Sequence, residues 1–199
     1  MKKVGVFIGE LDMIQDEMLR DFAEYCLVRL PEYFFTVPAS STGKFHPSYT
    51  LGEGGLVRHT KAAVKIANDL LNLEQNKELA EYRDEIIFAL IFHDSIKKGN
   101  ANSKYTVTEH PILAADFIED CLKKYEDAIY HSIMNAEDYL SFTSQVKIIQ
   151  NLIRSHMGQW NSDYRTKKEI LPKPSSEVEK FVHTCDYLAS RKYLTCEVE

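Results

Sequence analysis

Apolar residues recur along most of the chain at the three- and four-residue spacing of one helix face, separated by short polar connections. Between about 14 and 30, Met18, Leu19, Phe22, Cys26 and Leu30 keep that spacing until Pro31 stops it, which predicts a first helix. Leu56, Thr60, Ala63, Ala67 and Leu70 predict a second over about 56–71. Ile86, Ile87, Leu90 and Ile91 predict a third over about 79–92, and its apolar width places it centrally. Pro111 suits a helix start and precedes Ile112, Leu113, Phe117, Ile118 and Cys121, a fourth helix. Val146, Ile149, Leu152 and Ile153 mark a fifth over about 144–155. Val178, Phe181, Val182, Cys185, Leu188 and Ala189 mark a last one over about 177–193. The expected fold is all-α, with only the N-terminal run VGVFIG fitting a short edge strand.

One connection is not short. Residues 36–55 (TVPASSTGKFHPSYTLGEGG) hold two prolines, four glycines and several hydroxyl side chains, a length of ordered loop more often functional than not. With 199 residues and 44% hydrophobic positions, the chain fills one core and is short for two, so 1–199 reads as a single domain. The balance of 24 basic against 30 acidic residues, a net charge of -6, argues against capture of a long double-stranded nucleic acid. Cys26, Cys121, Cys185 and Cys196 form no Cys-x-x-Cys pair and read as buried free thiols of a reducing compartment. No run approaches the ~20 apolar residues of a membrane span, and no signal peptide fits. The expectation is a soluble, cytoplasmic protein.

Histidines and aspartates sit at the ends of these apolar patterns. His59 falls in the first turn of the second predicted helix, His93-Asp94 closes the third, and His110 stands at the entrance of the fourth. His156 follows Ile149 by seven positions and so faces inward, and Asp186 lies beside the last apolar stripe. A buried imidazole or carboxylate needs a partner. Mixed imidazole and carboxylate donors without clustered cysteines suit a divalent first-row metal in a catalytic rather than a structural site. Neighbouring side chains at a helix end splay by roughly 100°, so His93 can approach a metal laterally while Asp94 reaches across it. Lys97, four after His93, reads either as a phosphate contact or as a solvated lysine favourable at a helix C-terminus. His46 reads as a substrate contact or as a backbone-bonded loop histidine. Arg58 and Arg191 read as phosphate ligands or as solvated arginines, and Trp160 as a stacking platform or a packing anchor. His183 is placed outside the site, a candidate partner of a ligand; His131 has no motif context.

These segments resemble the HD-domain phosphohydrolase superfamily, a helical fold with ligands in the order His, His-Asp and a distant Asp. GGLVRHT (54–60) is similar to its opening motif, FHDSIKKG (92–99) to its doublet with a following lysine, and FVHTCDYLASR (181–191) to its closing aspartate segment. The resemblance spans about 37–191. VPASSTGKFHPSYTLGEGGLVRHT resembles more narrowly the HD domain of bacterial 3′→5′ exoribonucleases. TEHPILAADFI (108–118) and IRSHMGQW (153–160) match the places where some members carry two further histidines. The resemblance implies a first metal on His59, His93, Asp94 and Asp186, with Asp94 bridging to a second on His110 and His156. Mn, Fe, Ni, Co and Zn all accept such donors.

The implied activity is hydrolysis of a phosphate ester or phosphodiester of a nucleotide or short oligonucleotide by metal-activated water. Asp94 and Lys97 would be catalytic, and Lys97, His46 and Arg58 would hold substrate. The nucleic-acid-binding module that precedes the HD domain in those exoribonucleases is not seen here, which favours a small substrate. Two alternatives remain: a deoxynucleotide (tri)phosphate hydrolase, and a non-catalytic HD module that senses a nucleotide.

Overall fold

A computed structural model describes residues 2–44, 46–129, 136–163 and 165–194. It is all-α: α1 Lys2–Val6, α2 Ile8–Leu11, α3 Glu17–Arg29, α4 Gly55–Leu71, α5 Arg83–Phe92, α6 His110–Ile129, α7 Ala136–Ser155 and α8 Glu177–Ala189. Short 3-10 turns lie between them, and among the described residues there is no strand, only an isolated bridge between Ser162 and Glu169. No helix of the described residues is long and apolar enough to cross a membrane.

The bundle is organised around α5. Every residue from Glu85 to Phe92 is buried, so this helix presents apolar surface in all directions and must be enclosed on all sides. α4, α7 and α8 pack on it, α6 pairs with α7, and α4 pairs with α8. Phe22 of α3 locks three partners together, its ring 5.7 Å from Phe88, 5.1 Å from Tyr125 and 5.5 Å from Phe142. Buried apolar residues from α2 to α8 form one continuous cluster.

Local chemistry sets the helix ends. Asp16 caps α3 by accepting from Leu19 N–H at 2.9 Å, and Ser176 with Glu179 forms a reciprocal capping box at the start of α8. At the start of α4 the cap is Gly54 in the left-handed region, φ 71°. A Cβ on the next residue, Gly55, would stand 2.0 Å from the Thr50 carbonyl oxygen, so no side chain fits where loop 36–54 turns into the helix.

The edge strand expected from VGVFIG is not formed: those residues lie in α1, α2 and the turn at Phe7 between them. Phe7, Leu11 and Ile14 are the fully buried apolar side chains of this N-terminal region, spaced four and three, and Leu11 N–H donates to the Phe7 carbonyl at 2.9 Å. A six-residue apolar run does not by itself separate strand from helix, and the anchor at Leu11 lies outside it. The third predicted helix also starts later than expected, because Glu74–Tyr82 winds as 3-10 turns before α5. Likewise α8 stops at Ala189, short of 193. Cys26, Cys121 and Cys185 are buried free thiols; Cys196 and His131 lie outside the described residues.

Candidate metal centre

α5 ends at the most enclosed point of the molecule, and there the chain places His93 and Asp94, 0% and 2% exposed. Around them stand His59 from the first turn of α4, His110 from the first residue of α6, His156 just past α7, and Asp186 from α8. The end of α5 and the four elements around it thus bring ligand types from five separate stretches of sequence to one place.

Their orientations are specific. His93 Nδ1–H donates to the Leu90 carbonyl at 2.7 Å, His110 Nδ1–H to Val107 at 2.8 Å, and His156 Nδ1–H to Ile153 at 2.7 Å. A carbonyl accepts only from a protonated nitrogen, so each of these rings turns Nε2 toward the centre. That anchoring is the usual second contact of a metal-ligating histidine. His93 Nε2 lies 3.3 Å from His59 Nε2, and His110 Nε2 lies 3.3 Å from His156 Nε2. Two lone pairs facing each other at that distance repel unless a proton or cation sits between them.

Asp94 divides the cluster. Its Oδ2 is 3.5 Å from His93 Nε2 and 3.7 Å from His59 Nε2, while its Oδ1 is 3.0 Å from His110 Nε2 and 3.9 Å from His156 Nε2. Asp186 Oδ1 adds 3.0 Å to His59 and 3.5 Å to His93. Two sets, His59–His93–Asp186 and His93–Asp94–His156, each bring their ligand atoms within 4.8 Å of one another. Bonds of roughly 2.0–2.2 Å to a shared ion put neighbouring ligand atoms about 3.0–3.5 Å apart. These buried groups can hold a metal ion.

Electrostatics point the same way. Burial opposes charge on Asp94, but Lys97, His93 and His110 outweigh it and hold the carboxyl well below the usual range. Asp186 is likewise held low, against burial, by hydrogen bonds from His59 and His93. Burial would neutralise His93, yet Asp94 and Asp186 push it up to about 10. Burial, helped by His93, pushes His156 down to about 3. In the metal-free chain a proton on His93 therefore occupies the role a cation would take between the carboxylates.

The chain matches no known protein family, no curated protein and no solved structure. The site must be read from its own atoms.

Above the cluster opens a cavity of about 480 Å³ lined by His46, His59, Asp94, Lys97, His110, His156 and Asp186, with Trp160, Tyr187 and Arg191 on one wall. Lys97 Nζ pairs with Asp94 Oδ2 and is only 13% exposed, so the solvated reading of this lysine does not hold. His46 lies with its ring 5.8 Å from that of His59. Its Nδ1 is buried without a hydrogen-bond partner, which removes the backbone-bonded reading for that nitrogen. Burial, His59 and Lys97 push His46 down to about 4, so it is neutral at pH 7.

Arg58 is a correction. It does not line this cavity; its guanidinium donates to the carbonyls of Tyr49, Leu51 and Glu53. One turn of α4 carries both Arg58 and His59, and the splay of successive side chains sends the arginine outward to clamp loop 36–54. Further bonds from Ala39 N–H to Thr50 and from Leu56 N–H to Val37 close the same loop.

Two supports were not legible as a pair. His183 Nδ1–H donates to the His156 carbonyl at 2.7 Å, fixing the turn that carries this ligand. Gly158 makes room for it: φ is 56°, and a Cβ there would stand 2.3 Å from the His183 ring. The sequence offered His183 as a candidate partner of a ligand, but not its pairing with Gly158.

Proposed function

We propose that the chain is a metal-dependent phosphohydrolase acting on a phosphate ester or phosphodiester of a nucleotide or short oligonucleotide. The observation that carries the reading is Asp94, a single carboxylate with one oxygen toward His59 and His93 and the other toward His110 and His156. That disposition suits two cations on either side of one carboxylate, beneath a cavity of substrate size. The resemblance of the sequence segments to HD-domain phosphohydrolases supports the same chemistry.

Divalent ions bound there supply Lewis acidity, which acidifies water and neutralises charge on phosphate oxygens. The protein's part is to bring six donors together, buried or nearly so and turned inward, with His93 giving up its proton to an incoming cation. Lys97 sets the position of Asp94 and brings a fixed positive charge to the cavity edge, where a phosphate oxygen gains a point-charge donor. Neutral His46 faces the same space and can donate or accept a hydrogen bond to substrate. Among the described residues, the serines of the cavity lining, Ser40 and Ser190, bond to Gly43 and to Tyr187 and Arg191 rather than to a histidine or carboxylate, and direct attack by water needs no covalent intermediate.

The test is a panel of nucleoside mono- and triphosphates, cyclic nucleotides, dinucleotides and short single-stranded RNA, assayed with Mn2+, Co2+, Ni2+ or Zn2+. Wild type should release product from at least one class and Asp94→Ala from none. A panel on which neither protein releases product, with metal demonstrably bound, would replace the hydrolase by a nucleotide-sensing module.

A further inference from the structure

One wall of the cavity contributes no ligand atom and is aromatic. Trp160 ends the 3-10 turn Gly158–Trp160 and lies face to face with Tyr187 of α8, ring centres 5.6 Å apart and planes 11° from parallel. The Arg191 guanidinium stands 4.2 Å from the Tyr187 ring centre and 6.0 Å from that of Trp160. All three line the same cavity as Asp94, His156 and Asp186.

Trp160 is 44% exposed. Ring centres 5.6 Å apart mean that Tyr187 overlaps the indole only in part, and so exposed a large apolar surface is unfavourable unless something covers it. The main chain at Trp160 is fixed by its backbone N–H, which donates to the Met157 carbonyl at 3.0 Å, and the His183 ring packs beside the indole at 5.9 Å. An exposed indole backed by a second ring and flanked by a guanidinium has the make-up of a stacking platform. A packing anchor would instead be covered by its own chain.

We propose that Trp160, Tyr187 and Arg191 form the subsite for a planar heteroaromatic ring, a nucleobase, joined to the phosphate that the histidine–aspartate cluster addresses. This rests on the phosphohydrolase reading for the position of the phosphate. Stacking on a single platform selects for a base without choosing among bases, since every base has a π face.

Trp160 is the only tryptophan, so emission excited at wavelengths beyond tyrosine absorption reports on this side chain alone. Zn2+-loaded protein is titrated with the four common ribonucleoside 5′-monophosphates and with ribose 5-phosphate, which keeps the sugar and phosphate but lacks the base. The nucleotides should quench the emission saturably and ribose 5-phosphate should not. By calorimetry, Trp160→Ala should weaken nucleotide binding about 5- to 100-fold and leave ribose 5-phosphate binding within about twofold, while Trp160→Phe should restore most of the loss. No quenching by any nucleotide at millimolar concentration, or equal weakening of both ligand types in Trp160→Ala, overturns the platform. Quenching by nucleotides with no phosphate ester hydrolysed leaves the platform standing and removes the hydrolase. Hydrolysis of base-free and base-bearing esters at equal efficiency, unaffected by Trp160→Ala, does the reverse.

Discussion

The two histidine pairs around Asp94 have the same Nε2–Nε2 separation of 3.3 Å but different electrostatic surroundings. His59 and His93 share two carboxylates, Asp186 Oδ1 and Asp94 Oδ2. His110 and His156 have one, Asp94 Oδ1. Equal spacing with unequal charge means that the first pair should hold a divalent cation tightly and the second more weakly. His93, beside both carboxylates, is pushed up to about 10, while burial and the neighbouring His93 push His156 down to about 3. Geometry alone makes a site; the number of facing carboxylates sets its strength.

Removing the shared group should have the largest effect. Asp94→Ala should abolish turnover and both metal sites while circular dichroism keeps the helical signal; retained turnover would show that Asp94 has been given the wrong role. Next, Asp186→Ala should weaken the tighter site by more than about 100-fold, beyond what loss of an outer support costs. His110→Ala should remove only the weaker ion and leave the tight one in place. Metal stoichiometry by elemental analysis reads the difference, and equal losses in the two variants would erase the distinction between the pairs.

The pairs should also separate in pH dependence. With its pKa near 10 folded and about 6.5 unfolded, His93 contributes stability that is complete below pH 6.5 and is lost as pH rises toward 10. His156 near 3 and His46 near 4 act the other way, stabilising above pH 6.5 and losing that contribution as pH falls through their folded values. Metal-free protein should therefore be most stable near pH 6.5. Saturating Zn2+ should flatten the alkaline decline, because a ligating His93 has no proton left to lose. Thermal midpoints measured across pH 5–9 with chelator and with metal test this, and an alkaline limb unchanged by metal would place the cation elsewhere.

Smaller effects should distinguish support from ligand. Gly158→Ala drives a methyl into His183 and should cost about 1–3 kcal/mol of stability and about 10- to 100-fold in metal affinity, by loosening the carbonyl of His156. Arg58→Ala should cost about 0.5–1.5 kcal/mol, because water can replace the donor at the exposed loop carbonyls, with metal affinity unchanged.

Much of this was legible along the chain. The apolar periodicity located the long helices because burial of one face, or of every face in α5, is what holds them. The convergence of the histidines and aspartates was legible because each sits at or beside the end of an apolar pattern, and a polar group at a buried helix end needs an explanation. The first helices were misread because Phe7 pairs with Leu11, beyond the short run that suggested a strand. Arg58 was misassigned because adjacency to a ligand says nothing about direction: one residue along a helix turns the side chain by about 100°. The aromatic wall stayed incomplete because Trp160 and Tyr187 are 27 positions apart and meet only when α8 docks beside the turn after α7.

The most direct test of the central claim is a titration of chelator-stripped protein with Zn2+ at pH 8, in buffers of differing ionisation enthalpy, beside Asp94→Ala. The predicted result is saturable uptake with release of about one proton on binding the first ion, drawn from His93, and loss of that uptake in the variant. Uptake no greater than that of Asp94→Ala, or binding without proton release, would contradict it.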